Sequence, residues 1–331
     1  MERKEHAMKL GIIGTGMIVK EFLPELVKME GLEILSIMGS PSGFAKAEAL
    51  SQQYGIPKAV SNLDELCATG IDTVYVAVPN NLHFGYCRKA LENGMNVIVE
   101  KPMTDDAGQA ESLAVLARKK KLFLFEAITT VYMEGYRKIR EWLPLLGDIK
   151  IVQSRFCQYS SRYDNFKKGI IAPAFDPKRS GGALMDLNLY NIHYVMQYFG
   201  RPESISYFPN MERNIDTSGV LMMLYPKFTA VCIAAKDCNG DSGAIIQGTN
   251  GFIKSEMTPN KVGSVTLQLR DGTCEVAEEH YAEKRMIPEF RQFIRAIDEQ
   301  DYDFCYKQLE HSLAVNEVLN RARIQAGIKV K

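Results

Sequence analysis

Three groups of residues in this chain combine types and spacings that could do chemistry. Lys101 ends an apolar run, Asn96-Val97-Ile98-Val99, inside Glu100-Lys101-Pro102. Proline has no amide donor and resists continued regular structure, so the chain turns there and leaves an ammonium at the carboxyl edge of a strand, where open α/β sheets gather ligands. Asp186, Tyr190, His193 and Gln197 follow at i, i+4, i+7 and i+11 in a mostly apolar segment opened by Gly181-Gly182. A helix would carry them as one polar stripe, as expected beside a wet cleft. Finally, Leu10-Gly11-Ile12-Ile13-Gly14-Thr15-Gly16-Met17-Ile18 sets a G-x-G turn between a strand and a helix. Gly14 permits the tight turn, Gly16 lets backbone approach a pyrophosphate, and the helix start offers amides to the anion. Each group also has a plainer reading: a solubilising strand-end lysine, an ordinary solvent face, an incidental glycine turn.

The surrounding residues bear on the cofactor. Val19 occupies the usual third glycine position of the fingerprint, and a β-branched side chain there should loosen helix-to-strand packing. After the second strand the chain reads Met38-Gly39-Ser40-Pro41-Ser42-Gly43, with neither the acid that would bond a ribose diol nor the arginine that would meet an extra phosphate. Ser40 could donate to a phosphate, and the missing acid removes a source of repulsion, which tips the choice between NAD and NADP slightly toward NADP. Pro79, Asn80, Asn81 and His83 follow the third strand and could contact a dinucleotide or cap the next helix. His83 alone reads as capping or local packing.

The elements that must position these groups are legible as patterns. From Lys9 to Ala127, strand-like runs at 10–13, 33–37, 73–78, 96–99 and 122–125 alternate with helix-like stretches at 19–29, 43–54, 84–93 and 107–121. Such alternation implies parallel strands with helical crossovers, a Rossmann doubly wound domain over 1–127. Residues 128–331 read differently. A helix at 136–146, a strand at 149–158, the helix 184–199, strand runs at 219–224, 229–235, 244–247 and 265–269, and two closing helices at 288–299 and 305–326 imply an α+β domain. The turn residues between those runs suggest an antiparallel meander. The loop 159–180, with Arg162, Tyr163, Lys178 and Arg179, could cover a cleft, although such a loop is more often plain surface. Residues 1–7 read as a loose tail, and Met8 is a possible alternative start.

Composition excludes several classes. Of 331 residues, 40 are Lys or Arg and 40 are Asp or Glu, so no charge excess favours nucleic acid. Seven cysteines show neither C-x-x-C nor a His/Cys cluster, so no metal site or disulfide framework is expected. No run approaches the ~18 apolar residues of a membrane span and no signal-type segment follows Met1. The expectation is a cytoplasmic protein without membrane contact.

Taken together, Gly14-Thr15-Gly16, Pro79-Asn80-Asn81-Leu82-His83, Glu100-Lys101-Pro102 and Gly181-Gly182-Ala183-Leu184-Met185-Asp186 resemble the Gfo/Idh/MocA oxidoreductases. The resemblance spans both halves. It implies a second domain built on a large, open, mainly antiparallel sheet, and a homodimer or higher homo-oligomer. It also implies hydride transfer between NAD(P) and a hydroxyl or carbonyl carbon of a sugar, polyol or related small compound. Tyr190 follows Asp186 by four, as in the glucose-fructose oxidoreductase and dimeric dihydrodiol dehydrogenase-like members. The resemblance thus makes Lys101 the catalytic lysine, Tyr190 the acid/base, and places Asp186 and His193 around substrate. The cofactor residues on this reading are Gly14, Thr15, Gly16, Met17, Ile18, Ser40, Pro79, Asn80, His83, Glu100 and Lys101. Asn188 stands where the family commonly has glycine. An unperturbed phenol ionises near pH ~10, so a nearby cation such as Lys101 is the partner such a base needs. A nucleotide-binding regulator of the same fold, or a glycosidase-like enzyme that retains its NAD, are the competing readings.

Overall fold

The computed structural model describes residues 7–278 and 284–328. The proposed tail therefore lies almost wholly outside the described residues. The chain forms two compact units, the first from Met1–Ile128 with Met286–Leu313, the second from Thr129–Arg285 with Ala314–Lys331.

The first unit runs β1 (Met8–Ile13), α1 (Met17–Leu26), β2 (Leu32–Met38), α2 (Phe44–Tyr54), β3 (Lys58–Val60), α3 (Leu63–Cys67), β4 (Thr73–Val76), α4 (His83–Glu92), β5 (Asn96–Glu100), α5 (Ala107–Lys120) and β6 (Leu124–Ala127). All six strands are parallel, in the order β3-β2-β1-β4-β5-β6. The order reverses beside β1, which puts the ends of β1 and β4 at the switch point where doubly wound sheets bind ligands. Helices cover the sheet because its strands are apolar on both faces; β4 and β6 are buried throughout. The β3 strand and the α3 helix escape the sequence pattern, being only three and five residues long. The α3 helix is set by a local cap, with Asn62 Oδ1 accepting the Glu65 amide at 2.9 Å and the Glu65 carboxylate accepting the Ser61 amide at 2.9 Å.

The second unit runs α6 (Glu134–Trp142), β7 (Ile149–Cys157), α7 (Tyr163–Lys167), α8 (Leu189–Phe199), β8 (Ser204–Glu212), β9 (Ile215–Leu224), β10 (Thr229–Ala235), β11 (Gly243–Gly248), β12 (Gly251–Ser255), β13 (Val265–Leu269) and β14 (Cys274–Ala277). Its eight-stranded sheet has the order β14-β13-β12-β11-β7-β10-β9-β8. The expected simple meander is corrected here: β7 is inserted between β11 and β10, antiparallel to the first and parallel to the second. Turn signals report only neighbours along the chain, so they could not reveal a strand arriving from 149–157. One face of the sheet carries the core, in which Val152, Leu221, Met223, Ile246, Ile253 and Leu267 meet Tyr136, Trp142, Leu189, Ile192 and Val195.

Two helices close the chain, α9 (Met286–Asp298) and α10 (Tyr302–Gln325). The division expected at 127/128 assigned both to the second domain, yet Met286–Leu313 belongs to the first unit. The reason is aromatic packing: Phe290 sits edge-on to Tyr75 at 5.5 Å, and Phe293 stacks on Phe125 at 4.5 Å.

Candidate functional site

The first unit builds a dinucleotide cradle at the β1–α1 turn. Gly14 has φ +122° and its amide donates to the Met38 carbonyl at 2.9 Å; a Cβ there would stand 2.2 Å from the Ala77 carbonyl oxygen. Only glycine fits. Gly16, the N-cap of α1, has the opposite property, since a Cβ on it would meet nothing within 4 Å. That open space over a helix start is what a pyrophosphate needs, so the residues present fit a dinucleotide. Thr15, Met17 and Ile18 line the same turn, with Met17 strongly exposed. Val19 is buried beside Phe22, Leu23 and Leu26, so the bulk at the third fingerprint position goes into core packing. Ser40 is exposed at the end of β2, its hydroxyl 3.3 Å from that of Ser42.

Pro79 and Asn80 open a short 3-10 turn that leads into α4. His83, the first residue of α4, is fully buried, with Nδ1 2.8 Å from the Pro102 carbonyl and Nε2 2.9 Å from the Val78 carbonyl. Burial pulls its pKa down. A neutral imidazole has one N–H, so His83 donates to one of these carbonyls and only touches the other, its ring bridging the Val78 loop and the loop that follows Lys101. This is the local packing that His83 suggests when taken alone. Glu100 accepts a 2.5 Å hydrogen bond from the Tyr75 hydroxyl. Lys101 follows at the end of β5, partly buried. Beside β5 the sequence reading missed Glu126, a buried carboxylate inside β6 whose Oε1 accepts the Met103 amide at 2.8 Å. Burial pushes its pKa up to about 7, against the pull of hydrogen bonds from Ser312 and Met103. A glutamate directly after the apolar run 122–125 was the available signal.

The second unit presents Asp186, Tyr190 and His193. Residues Leu184–Asn188 form a π turn that runs directly into α8. A single α-helix over 184–199 was expected, so the register of Asp186 against Tyr190 is shifted from ideal spacing, as π turns at functional sites often do. Side-chain anchors accompany the wider turn. Asp216 Oδ2 accepts the Leu184 amide at 2.6 Å and the Tyr207 hydroxyl at 2.7 Å. Asp216 is itself buried, which pushes its pKa up to about 6. Asp186 Oδ2 accepts from Lys236 Nζ at 2.8 Å.

Asn188, in the position where glycine is common in the family it resembles, is buried and bonded. Its Oδ1 accepts from Asn191 Nδ2 at 2.8 Å, and Asn191 also donates to the Ile233 carbonyl at 2.9 Å and accepts from Ser154 Oγ at 2.8 Å. Close packing around the helix is thus kept by a satisfied polar chain. Tyr190 is buried with its ring 5.9 Å from Phe156, His193 is fully buried, and Gln197 is partly exposed. The stripe is therefore no ordinary solvent face. The segment 159–180 has a small apolar core, in which Tyr163, Phe166 and Phe175 cluster with Ile215.

Lys236 was missed, although Thr229–Ala235 followed by Lys236 repeats the pattern that drew attention to Lys101: an apolar strand ending in a lysine.

Two family models match the chain in succession. Residues 8–127 match the family described as "Oxidoreductase family, NAD-binding Rossmann fold", and residues 123–254 match the "GFO/IDH/MocA C-terminal domain". The chain is 28% identical over 325 residues to scyllo-inositol 2-dehydrogenase (NADP(+)) IolU of Bacillus subtilis (strain 168), covering 97% of this chain and 98% of that protein. It is 29% identical over 255 residues to trans-1,2-dihydrobenzene-1,2-diol dehydrogenase of Xenopus tropicalis, covering 75% of each. Among solved structures, KijD10, a 3-ketoreductase from Actinomadura kijaniata in complex with NADP, superposes with a TM-score of 0.80 at 21% identity, covering 96% of this chain and 97% of that one.

Proposed function

The chain belongs to the Gfo/Idh/MocA oxidoreductases, and from that premise we propose that it is an NADP-dependent dehydrogenase or reductase of a sugar, polyol or similar neutral carbonyl compound. The observation that carries this reading is the Gly14/Gly16 cradle in a chain that also holds Lys101 at a strand end and Tyr190 beside a π turn. Preference for NADP rests on the carboxylate-free loop 39–43 with Ser40 exposed, and on the NADP(+) in the name of the inositol dehydrogenase relative.

The bound nicotinamide supplies or accepts the hydride. Everything else falls to the chain. In the reductive direction Tyr190 donates a proton to the substrate oxygen, and the Lys101 ammonium stabilises the developing alkoxide and favours the phenolate that remains. Oxidation reverses these steps. Asp186 accepts a hydrogen bond from a substrate hydroxyl, and His193, being buried on the same helix, acts on Tyr190 and its surroundings.

Turnover of a panel of sugars, polyols and α-dicarbonyls, followed by NADPH absorbance, tests the reading. Tyr190→Phe should retain NADPH binding and lose about 10²–10⁴-fold in kcat, and Lys101→Ala should lose a similar factor. Substantial turnover by both variants would reject the assignment. A regulator would bind nucleotide without turnover, whereas a glycosidase-like enzyme would recycle co-purified NAD with no net reduction.

The same proposal includes a homodimer. The sheet face opposite the core exposes Phe208 (60%) on β8, Leu224 (41%) and Met222 (36%) on β9 and, across β10, Ile151 (46%) on β7, an apolar surface suited to a second copy. Light scattering that gives a monomer at all working concentrations would remove it. Among the described residues no helix is long and apolar enough to cross a membrane. Seven free thiols accord with a cytoplasmic setting.

A further inference from the structure

We propose that Lys236 is a positioning residue that holds the Asp186 carboxylate ionised and aimed as an acceptor for a substrate hydroxyl. The inference rests on the oxidoreductase reading for its substrate and on geometry for the rest. Lys236 follows β10 and is 2% exposed. Its Nζ donates to Asp186 Oδ2 at 2.8 Å and to the Ala174 carbonyl at 2.6 Å, and lies 4.5 Å from the centre of the Phe175 ring. An ammonium taken from water needs anionic, carbonyl or π partners in place of its hydration shell, and here it has one of each.

The main chain of Lys236 is fixed as well. Its amide donates to the Thr217 carbonyl at 2.8 Å, and its carbonyl accepts the Ser160 amide at 2.8 Å. A lysine normally gains from a flexible stem; this one is held at both ends.

The pair is asymmetric. Within it the Lys236 side chain is 3% exposed and the Asp186 side chain 34%. The ammonium is inside and the carboxylate reaches outward, so Lys236 acts through Asp186 and is no substrate ligand itself. The Ala174 carbonyl that Lys236 grips also accepts the Gly182 amide at 3.1 Å. One cation thus fixes both the carboxylate and the loop that leads into the π turn. Other titratable groups in this neighbourhood are Asp216, already engaged by Tyr207 and the Leu184 amide, Asp237, whose Oδ2 accepts from Thr217 and Ser218, and Tyr190 on the same helical segment. The ion pair sets the Lys236 ammonium against the Asp186 carboxylate, and removal of Lys236 takes that counter-charge away.

The test uses the full chain with aspartate carboxyls labelled by 13C, the Asp186 resonance being assigned by its loss in Asp186→Asn. In Lys236→Met the Asp186 carboxyl should titrate about one pH unit higher than in the wild type, as expected on losing an adjacent cation. The acid limb of kcat/KM should move by the same amount and kcat/KM at neutral pH should fall at least 10-fold. Lys236→Met combined with Asp186→Asn should be no slower than Asp186→Asn alone. An unmoved titration, or losses that multiply in the double variant, would overturn the proposal. Phe175→Leu keeps both charges and withdraws the ring; a smaller shift in the same direction is expected, and no shift counts against the proposal if Lys236→Met does not fold. An inactive wild type with the titration shift intact would sink the oxidoreductase reading and leave the Lys236–Asp186 linkage standing.

Discussion

Asp216 Oδ1 lies 2.1 Å from the point that a Cβ on Gly182 would occupy, so the carboxylate fills the notch that glycine leaves. Gly182 also has φ +106°, a conformation that L side chains rarely adopt. The turn before the π segment is therefore built around a buried acid. Gly182→Ala should destabilise the protein by about 2 kcal/mol or more, read by urea denaturation, and should lower turnover further by displacing the Leu184 amide. An alanine variant of wild-type stability would mean that Asp216 can move aside.

The two glycines of the nucleotide turn should separate folding from binding. Gly14→Ala drives a Cβ into the Ala77 carbonyl and should cost both stability and NADPH affinity. Gly16→Ala meets no protein atom within 4 Å and should leave the melting temperature nearly unchanged while weakening NADPH binding about 10-fold or more. Equal NADPH affinity in Gly16→Ala and wild type, measured by calorimetry, would place the pyrophosphate elsewhere.

Ser40→Asp should reverse nucleotide preference. A carboxylate at the end of β2 would repel an extra phosphate and bond a ribose diol, lowering NADP affinity at least ~10-fold while sparing NAD. Unchanged KM values for both cofactors would show that Ser40 does not face the ribose.

Glu126 gives stability a pH dependence of defined sign. Its ordinary pKa of 4.5 is raised to about 7 by burial, so between those values the folded protein holds a proton that the unfolded chain has released. The contribution is fully present below the lower value and is lost as pH rises through the upper one, by about 3 kcal/mol across the window. Glu126→Gln keeps an acceptor for the Met103 amide and removes the titration. Its stability should decline less than that of the wild type from pH 4.5 to 7, and parallel stability profiles would refute the assignment.

Asn191→Leu should cost about 3 kcal/mol, because Ser154 Oγ, Asn188 Oδ1 and the Ile233 carbonyl each lose a buried partner. Chemical denaturation measures it, and a loss under about 1 kcal/mol would mean that water replaces the amide.

Much of the fold was readable because it is periodic. The parallel strands at 10–13, 33–37, 73–78 and 96–99 and the helices between them have hydrophobic spacing that local sequence carries. The three-residue β3 strand is too short to show a period, and no local signal sends β7 to lie beside β10. In the candidate site, Lys101 and Gly14 were visible because a turn residue marks each. Asp216 and Lys236 were not, since their significance is a partner distant in sequence: Leu184 for one, Asp186 for the other. The π turn was hidden for a related reason. Its residues include no proline or glycine to mark a break, and the side chains bonded around it come from β9 and just beyond β10.

The place of β7 in its sheet sets the order of assembly. A strand flanked by β10 and β11 is synthesised before either neighbour exists, and neither edge can be paired until residues from Thr229 onward have been made. Hairpins β8–β9 and β11–β12 can close locally, but the joint between these two halves of the sheet waits for a long-range loop closure, whose entropy must be overcome before the ladders to β7 form. Folding of the second unit should then be limited by the docking of β7, with the halves already formed on either side of the gap it fills.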